Sequence, residues 1–149
     1  MDYDKLKLEN QLCFPLYAAS RLVIREYQPY LDKLGITYPQ YLVLMVLWET
    51  DGITVNDISQ KLILNTNTIT PLLKRMESNQ IIERIRSKED ERKVIIRLTE
   101  KGRNLRIEAA EIPEKLVEGI KNDNMNINEL LALKDKLYVI INYLQEKGI

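Results

Sequence analysis

The sequence predicts a mainly α chain with one small β-hairpin, an α+β fold organised as a single domain over residues 1–149. Three features of the pattern predict it. Apolar residues recur at helical spacing towards both ends of the chain. Two short capped helical segments stand in the middle, and β-branched runs replace the helical period between Ile81 and Leu98. Of the 149 residues, 45% are hydrophobic and 30% charged, the balance of a globular chain able to hold a core without disulfides or a structural metal.

Taken in order, Leu8, Leu12, Leu16, Val23 and Tyr27 predict a long N-terminal helix. Pro15 should remove the bond to the Gln11 carbonyl and kink it, and Pro29 with Gly35 marks a loop. Thr37, Tyr38 and Pro39 open a helix with proline in its first turn. The run Tyr41 to Trp48 is apolar nearly all round, as in a helix buried on several sides, and Asp51 with Gly52 ends it. Thr54 and Asp57 resemble a capping box with a shortened acid, opening a helix with Val55, Ile58 and Leu62 on one face. A tight turn through Leu62 to Leu64 leads to Asn65 and Thr66, both good caps. The helix that follows carries Ile69, Leu72, Leu73 and Met76 and stops near Asn79.

Two helices joined by a tight turn, the second polar at its start, form a helix-turn-helix pattern. Ile81, Ile82 and Ile85, then Val94, Ile95, Ile96 and Leu98, flank the polar stretch Ser87 to Lys93 as a hairpin with a charged tip, which makes the unit a winged helix-turn-helix. Thr99 caps a long helix to about Ile120, broken or kinked at Pro113. Asn126 with Glu129 opens a last helix whose stripe of Leu130, Leu133, Leu137, Ile140, Ile141 and Leu144 exceeds the needs of one small core. The expected organisation is a winged-helix lobe over about 37–99, with dimerisation helices over about 6–34 and 100–147.

The chain has no histidine, which excludes Ser-His-Asp and Cys-His catalysis and the usual zinc sites, so no metal or cofactor is expected. Its single cysteine excludes an internal disulfide and suits a reducing compartment. The first ten residues are charged where a secretory signal would be apolar, and no apolar run approaches membrane-spanning length, so a cytoplasmic location without membrane contact is expected.

Net charge is zero, with 22 basic and 22 acidic residues, but it is unevenly distributed. From Lys61 to Arg106 there are twelve Lys/Arg against six Asp/Glu, which points to a phosphate-facing surface on an acidic scaffold. On this pattern the helix from Asn65 enters the major groove of double-stranded DNA. Asn65, Thr66, Asn67, Thr68 and Thr70 offer short polar groups to bases, while Lys74 and Arg75 reach phosphates. The hairpin tip adds Lys88, Arg92 and Lys93. Arg84, Arg86 and Arg97 lie on the strands and are read as solvated.

The segments Asn65 to Met76 (NTNTITPLLKRM), Ser87 to Leu98 (SKEDERKVIIRL) and Thr99 to Gly102 (TEKG) resemble the MarR family of winged-helix transcription regulators. Leu8 to Phe14 (LENQLCF) and Ile36 to Tyr41 (ITYPQY) resemble its organic-hydroperoxide-sensing, one-cysteine branch, and the resemblance extends from about Leu6 to Leu144. It implies a homodimeric repressor on an inverted-repeat operator, released when one N-terminal cysteine is oxidised by an organic hydroperoxide. It assigns Cys13 as the sensing thiol, Tyr27 and Tyr38 as the tyrosines that hydrogen-bond its sulfur, and Tyr17 as a third contributed by the partner subunit. It further implies that Arg92 enters the minor groove and that Asp90 holds the wing by salt bridging. With no second cysteine, the oxidised form implied is a sulfenic acid that passes to a mixed disulfide with a low-molecular-weight thiol, or to irreversible acids.

The chain departs from the branch at Asn65, Thr66 and Asn67, where Asp-Ser-Gly is usual, and at Pro15. Three other readings compete. A small aromatic or lipophilic ligand, bound in a pocket lined by Tyr27, Tyr38, Tyr41 and Trp48, would replace oxidation as the signal. A thiol peroxidase would use Cys13, although without a resolving cysteine. A protein-interaction module would use the terminal helices alone.

Overall fold

The chain enters its first helix later than the leucine spacing predicts. In the computed structural model, which describes residues 3–121 and 125–148, Asp4–Leu6 and Leu8–Asn10 form two single 3-10 turns. Asn10 Nδ2 donates to the Asp4 carbonyl at 2.8 Å and Gln11 Nε2 to the Lys5 carbonyl at 2.5 Å, so polar side chains occupy acceptors that a continuous helix would use. Helix α1 then runs over Cys13–Leu34.

This corrects two expectations. Pro15 is the third residue of α1, inside the first turn, where an N–H has no intrahelical partner to lose, so the helix is not kinked there. Pro29 lies within α1 rather than in a loop. The helix stops six residues later at Gly35, whose φ of 66° is left-handed, while the Ile36 N–H donates back to the Leu31 carbonyl at 3.1 Å.

Helix α2 (Tyr38–Glu49) starts where the Gln40 side chain accepts the Thr37 N–H at 2.9 Å, and it buries Tyr41, Val43, Leu44, Val46 and Leu47. A strand absent from the sequence reading follows: β1 (Ile53–Thr54) pairs antiparallel with a later strand, Ile53 opposite Ile96. Helix α3 (Val55–Leu62) opens on the expected capping box, with Asp57 N–H donating to Thr54 Oγ1 at 3.1 Å and Thr54 N–H to Asp57 Oδ2 at 3.0 Å. Ile63 turns the chain in the left-handed region, φ 55°, into α4 (Thr66–Ser78).

Strands β2 (Ile82–Arg86) and β3 (Val94–Leu98) form the predicted hairpin, Ile82 opposite Leu98 and Arg86 opposite Val94, in a sheet of order β1-β3-β2. Ile58 of α3, Ile69, Leu73 and Met76 of α4, Ile82 and Ile96 of the sheet, and Leu44 and Leu47 of α2 are fully buried, so the core seats α4 and the hairpin on one support. Helix α5 (Glu100–Ala109) is capped by Thr99, whose Oγ1 accepts the Gly102 N–H at 3.1 Å.

The helix expected to be broken or kinked at Pro113 breaks after Ala109, four residues earlier, and the chain divides there into two compact units, Met1–Ala110 and Glu111–Ile149. The second contains α6 (Ile112–Ile120), with Pro113 in its first turn, and α7 (Ile127–Glu146). Asn126 caps α7 as predicted, its Oδ1 accepting from Glu129 N at 3.2 Å while its own N–H donates to Glu129 Oε2 at 2.8 Å. No described residue of α7 is buried, although Leu133, Ile140 and Leu144 lie on its apolar stripe.

Candidate nucleic-acid interface and thiol site

The first turn of α4 divides the predicted base-contacting residues into two groups. Asn65 is the N-cap: its Oδ1 accepts from Thr68 N at 2.9 Å and from Thr68 Oγ1 at 3.0 Å. Both side chains are therefore committed to the cap, a cost of using a short polar residue at this position. Thr66, Asn67 and Thr70 are not so held. Thr66 and Thr70, one turn apart, line a cleft of about 570 Å³ together with Thr54, Asn56 and Asp57 of the α3 start and Arg84, Arg92 and Lys93 of the hairpin. Lys74 and Arg75 are exposed further along α4.

The cleft thus joins the polar start of α4 to cations of the wing. One acid enters it: hydrogen bonds from Thr54, with a smaller contribution from Lys93 and Lys61, hold the Asp57 carboxyl below the usual carboxylate range. Arg84, read from the sequence as solvated, belongs to this cleft. Its Nη1 lies 3.5 Å from Glu77 Oε2, and its Nε is buried with no partner among the described residues. The β2 register fixes that placement, which required knowing which face of the hairpin meets α3. Lys88 is not part of the cleft; it lines a separate hollow with Arg86 and Arg97.

Asp90 shapes the wing, but by a different bond from the one the family resemblance implies. Its Oδ1 accepts the Arg92 backbone N–H at 3.1 Å, and its carbonyl accepts the Lys93 N–H at 2.9 Å. Ser87 Oγ accepts from Glu89 N and Asp90 N on the other side of the tip. Among the described residues no ion pair involves Asp90, so a turn of the Asx kind replaces the expected salt bridge.

The thiol site is split. Cys13, the first residue of α1, is exposed and unbridged, and Tyr17 follows it by one helical turn, with the Arg21 guanidinium 5.3 Å from the Tyr17 ring centroid. Tyr27 lies fourteen residues beyond Cys13 on the same helix, which at 1.5 Å per residue places the two about 21 Å apart along the axis. Tyr38 goes with Tyr27, their ring centroids 4.9 Å apart. Tyr41 lies 5.9 Å from Tyr27 and 6.1 Å from Trp48, so the four rings form one packed cluster. Burial pushes the Tyr27 phenol up to about 12, with Tyr38 and Tyr41 adding to the shift, and raises Tyr38 and Tyr41 as well. Within one chain, therefore, Tyr17 stands one helical turn from Cys13, and Tyr27 and Tyr38 are remote from it. The sulfur contacts that the resemblance gives to Tyr27 and Tyr38 are therefore not made within one chain.

A model of the transcriptional regulator SarA/Rot family matches residues 25–108, which includes α2 to α4 and the wing. The chain belongs to that family. This SarA/Rot-family regulator is 47% identical over 98% of its length to the organic hydroperoxide resistance transcriptional regulator of Bacillus subtilis, covering 97% of that protein. It superposes with a TM-score of 0.78 on reduced AbfR bound to DNA, AbfR being a protein of Staphylococcus epidermidis, at 35% identity over 97% of this chain and 99% of the other. Overoxidised AbfR bound to DNA gives a TM-score of 0.73 at 36% identity, over the same 97% and 99% of the two chains. The winged-helix fold and the resemblance to hydroperoxide-branch regulators of the MarR type are borne out.

Proposed function

We propose that this regulator is a homodimer that binds an inverted-repeat DNA operator and releases it when Cys13 is oxidised by an organic hydroperoxide. The observation that carries the reading is the cleft in which Thr66 and Thr70 of α4 share walls with Arg84, Arg92 and Lys93 of the wing. A helix start beside a cationic hairpin fits a major groove flanked by phosphates, with the wing reaching towards the minor groove. The relatives support the same partner and signal: the AbfR structures contain DNA, and the Bacillus protein is a hydroperoxide-resistance regulator.

For sensing, the Cys13 thiolate attacks the peroxide oxygen, the O–O bond breaks, an alcohol leaves, and sulfur becomes a sulfenic acid. Condensation with a low-molecular-weight thiol then expels water and leaves a mixed disulfide. On this reading, phenolic donors from Tyr27 and Tyr38 come from a second copy, a reading supported by the distance from Cys13 to Tyr27 along α1, and Tyr17 follows Cys13 by one helical turn in the same chain. The unburied apolar stripe of α7 supports such a dimer, since a solitary chain leaves it to water.

Fluorescence anisotropy on DNA upstream of the chain's own gene, at physiological salt, tests the proposal. Wild type binds and dissociates on addition of an organic hydroperoxide, whereas Cys13→Ser binds equally well and stays bound. Equal release of both proteins would remove Cys13 as the sensor.

A further inference from the structure

Helix α4 contains a proline at a place where its geometry is costly. Asn65 is the cap, so Pro71 is the sixth residue of the helix, beyond the first turn in which a missing N–H costs nothing. Pro71 is exposed, so no core contact offsets that cost. It has no N–H to return to the Asn67 carbonyl, and its ring pushes that carbonyl away from the regular helical path. The helix is thereby left with an acceptor released from its ladder in its second residue.

The residue that carries the released acceptor lies on the outer face of α4. Asn67, Pro71, Lys74 and Ser78 follow one another at helical spacing and all are exposed, while Ile69, Leu72, Leu73 and Met76 fill the buried face. Asn65 and Thr68 are committed to the cap, so few side chains remain to read bases. Those that do remain near the helix start, Thr66, Asn67 and Thr70, are short, and short side chains let a backbone come close to a groove floor.

We propose that the Asn67 main-chain carbonyl, freed by Pro71, is a sequence-reading group that accepts a hydrogen bond from an exocyclic amino group in the major groove. This rests on the DNA-binding reading above. In that groove only cytosine N4 and adenine N6 present donors. A carbonyl can only accept, whereas the hydroxyl of Thr66 or the amide of Asn67 can do both. It therefore favours cytosine or adenine at its position and disfavours guanine and thymine, whose edges there offer acceptors.

The test begins by selecting duplexes from a randomised pool with the full-length wild-type protein. Each adenine and cytosine of the selected half-site is then replaced in turn by the base lacking the amino group, purine or 2-pyrimidinone. Affinities are measured by anisotropy for wild type, Pro71→Ala and Asn67→Ala. At one position, loss of the amino group should weaken wild type about fivefold, the worth of one neutral hydrogen bond, and leave Pro71→Ala unaffected because its carbonyl is back in the helical ladder. Asn67→Ala keeps the carbonyl and so keeps the dependence. Pro71→Ala should melt no lower than wild type, since it restores a helical N–H. Selection of a sequence with no position coupled to Pro71 overturns the inference and leaves the DNA-binding reading intact. Loss of the dependence in Asn67→Ala assigns the contact to the side chain and also overturns it. A wild-type protein that selects no sequence overturns both.

Discussion

Tyr27 shows how one residue can be assigned a chemistry from the sequence and a location only from the structure. The resemblance places its phenol on the Cys13 sulfur, yet helical rise alone separates the two by about 21 Å within a chain. Its surroundings are instead Tyr38 and Tyr41, and burial there moves its ionisation from the ordinary phenol value of about 10 up to about 12. The folded state thus holds the Tyr27 proton more tightly than the unfolded chain does. The associated stability is fully present below about pH 10 and is lost as pH rises through about 12. Ultraviolet difference spectroscopy should show Tyr27 ionising after the ordinary tyrosines, and the missing component should identify it in Tyr27→Phe. Urea unfolding at rising pH should find wild type losing more stability than Tyr27→Phe across that window; parallel curves would show that the ring cluster does not control the proton.

Among the elements, those defined by local chemistry were legible in the sequence. Thr54 with Asp57 and Asn126 with Glu129 announce helix starts because both halves of each reciprocal bond lie within four residues. The wing was legible because its β-branched runs flank a polar tip. Strand β1 was not, since two residues carry no period and Ile53 is a strand only through its pairing with Ile96, distant in sequence. The prolines failed for a related reason: Pro15 breaks nothing once α1 starts at Cys13, and that start depends on the side-chain bonds of Asn10 and Gln11.

The junction between α5 and the sheet is also invisible in sequence. Gly102 reads as one more residue of TEKG, yet a Cβ there would lie 2.2 Å from the Ile81 carbonyl oxygen, and its own carbonyl accepts the Trp48 indole N–H at 2.9 Å. Backbone sits against backbone, with no flexible side chain able to give way. Gly102→Ala should therefore lower stability by about 1–3 kcal/mol in urea unfolding, in the range of other overpacked sites. Thr54→Ala, which removes a hydroxyl that accepts from the Asp57 N–H and donates to Asp57 Oδ2, should cost about 1 kcal/mol in the same assay. A Gly102→Ala protein as stable as wild type would mean that α5 is not pressed against β2 in solution.

At the scale of the whole molecule, the proposed homodimer and the separation of Cys13 from Tyr27 belong to one reading. Cys13 and Tyr27 cannot meet through α1, and α7 leaves its apolar stripe uncovered in a single chain. In the proposed homodimer a second copy addresses both, giving each sulfur phenols from the other subunit. That arrangement predicts complementation between two damaged chains. In homodimers, Cys13→Ser has no thiol to oxidise, and Tyr27→Phe has a thiol without one of its donors, so its oxidation by an organic hydroperoxide should be slow. A heterodimer of the two, isolated with differently tagged subunits, pairs the intact Cys13 of one chain with the intact Tyr27 of the other. Its single thiol should oxidise at the wild-type rate, followed as sulfenic acid trapping by mass spectrometry. If the donors acted within a chain, that same thiol would depend on the subunit that carries the Tyr27→Phe substitution and would stay slow. The rate in the heterodimer therefore separates a sensor shared between subunits from one contained in each.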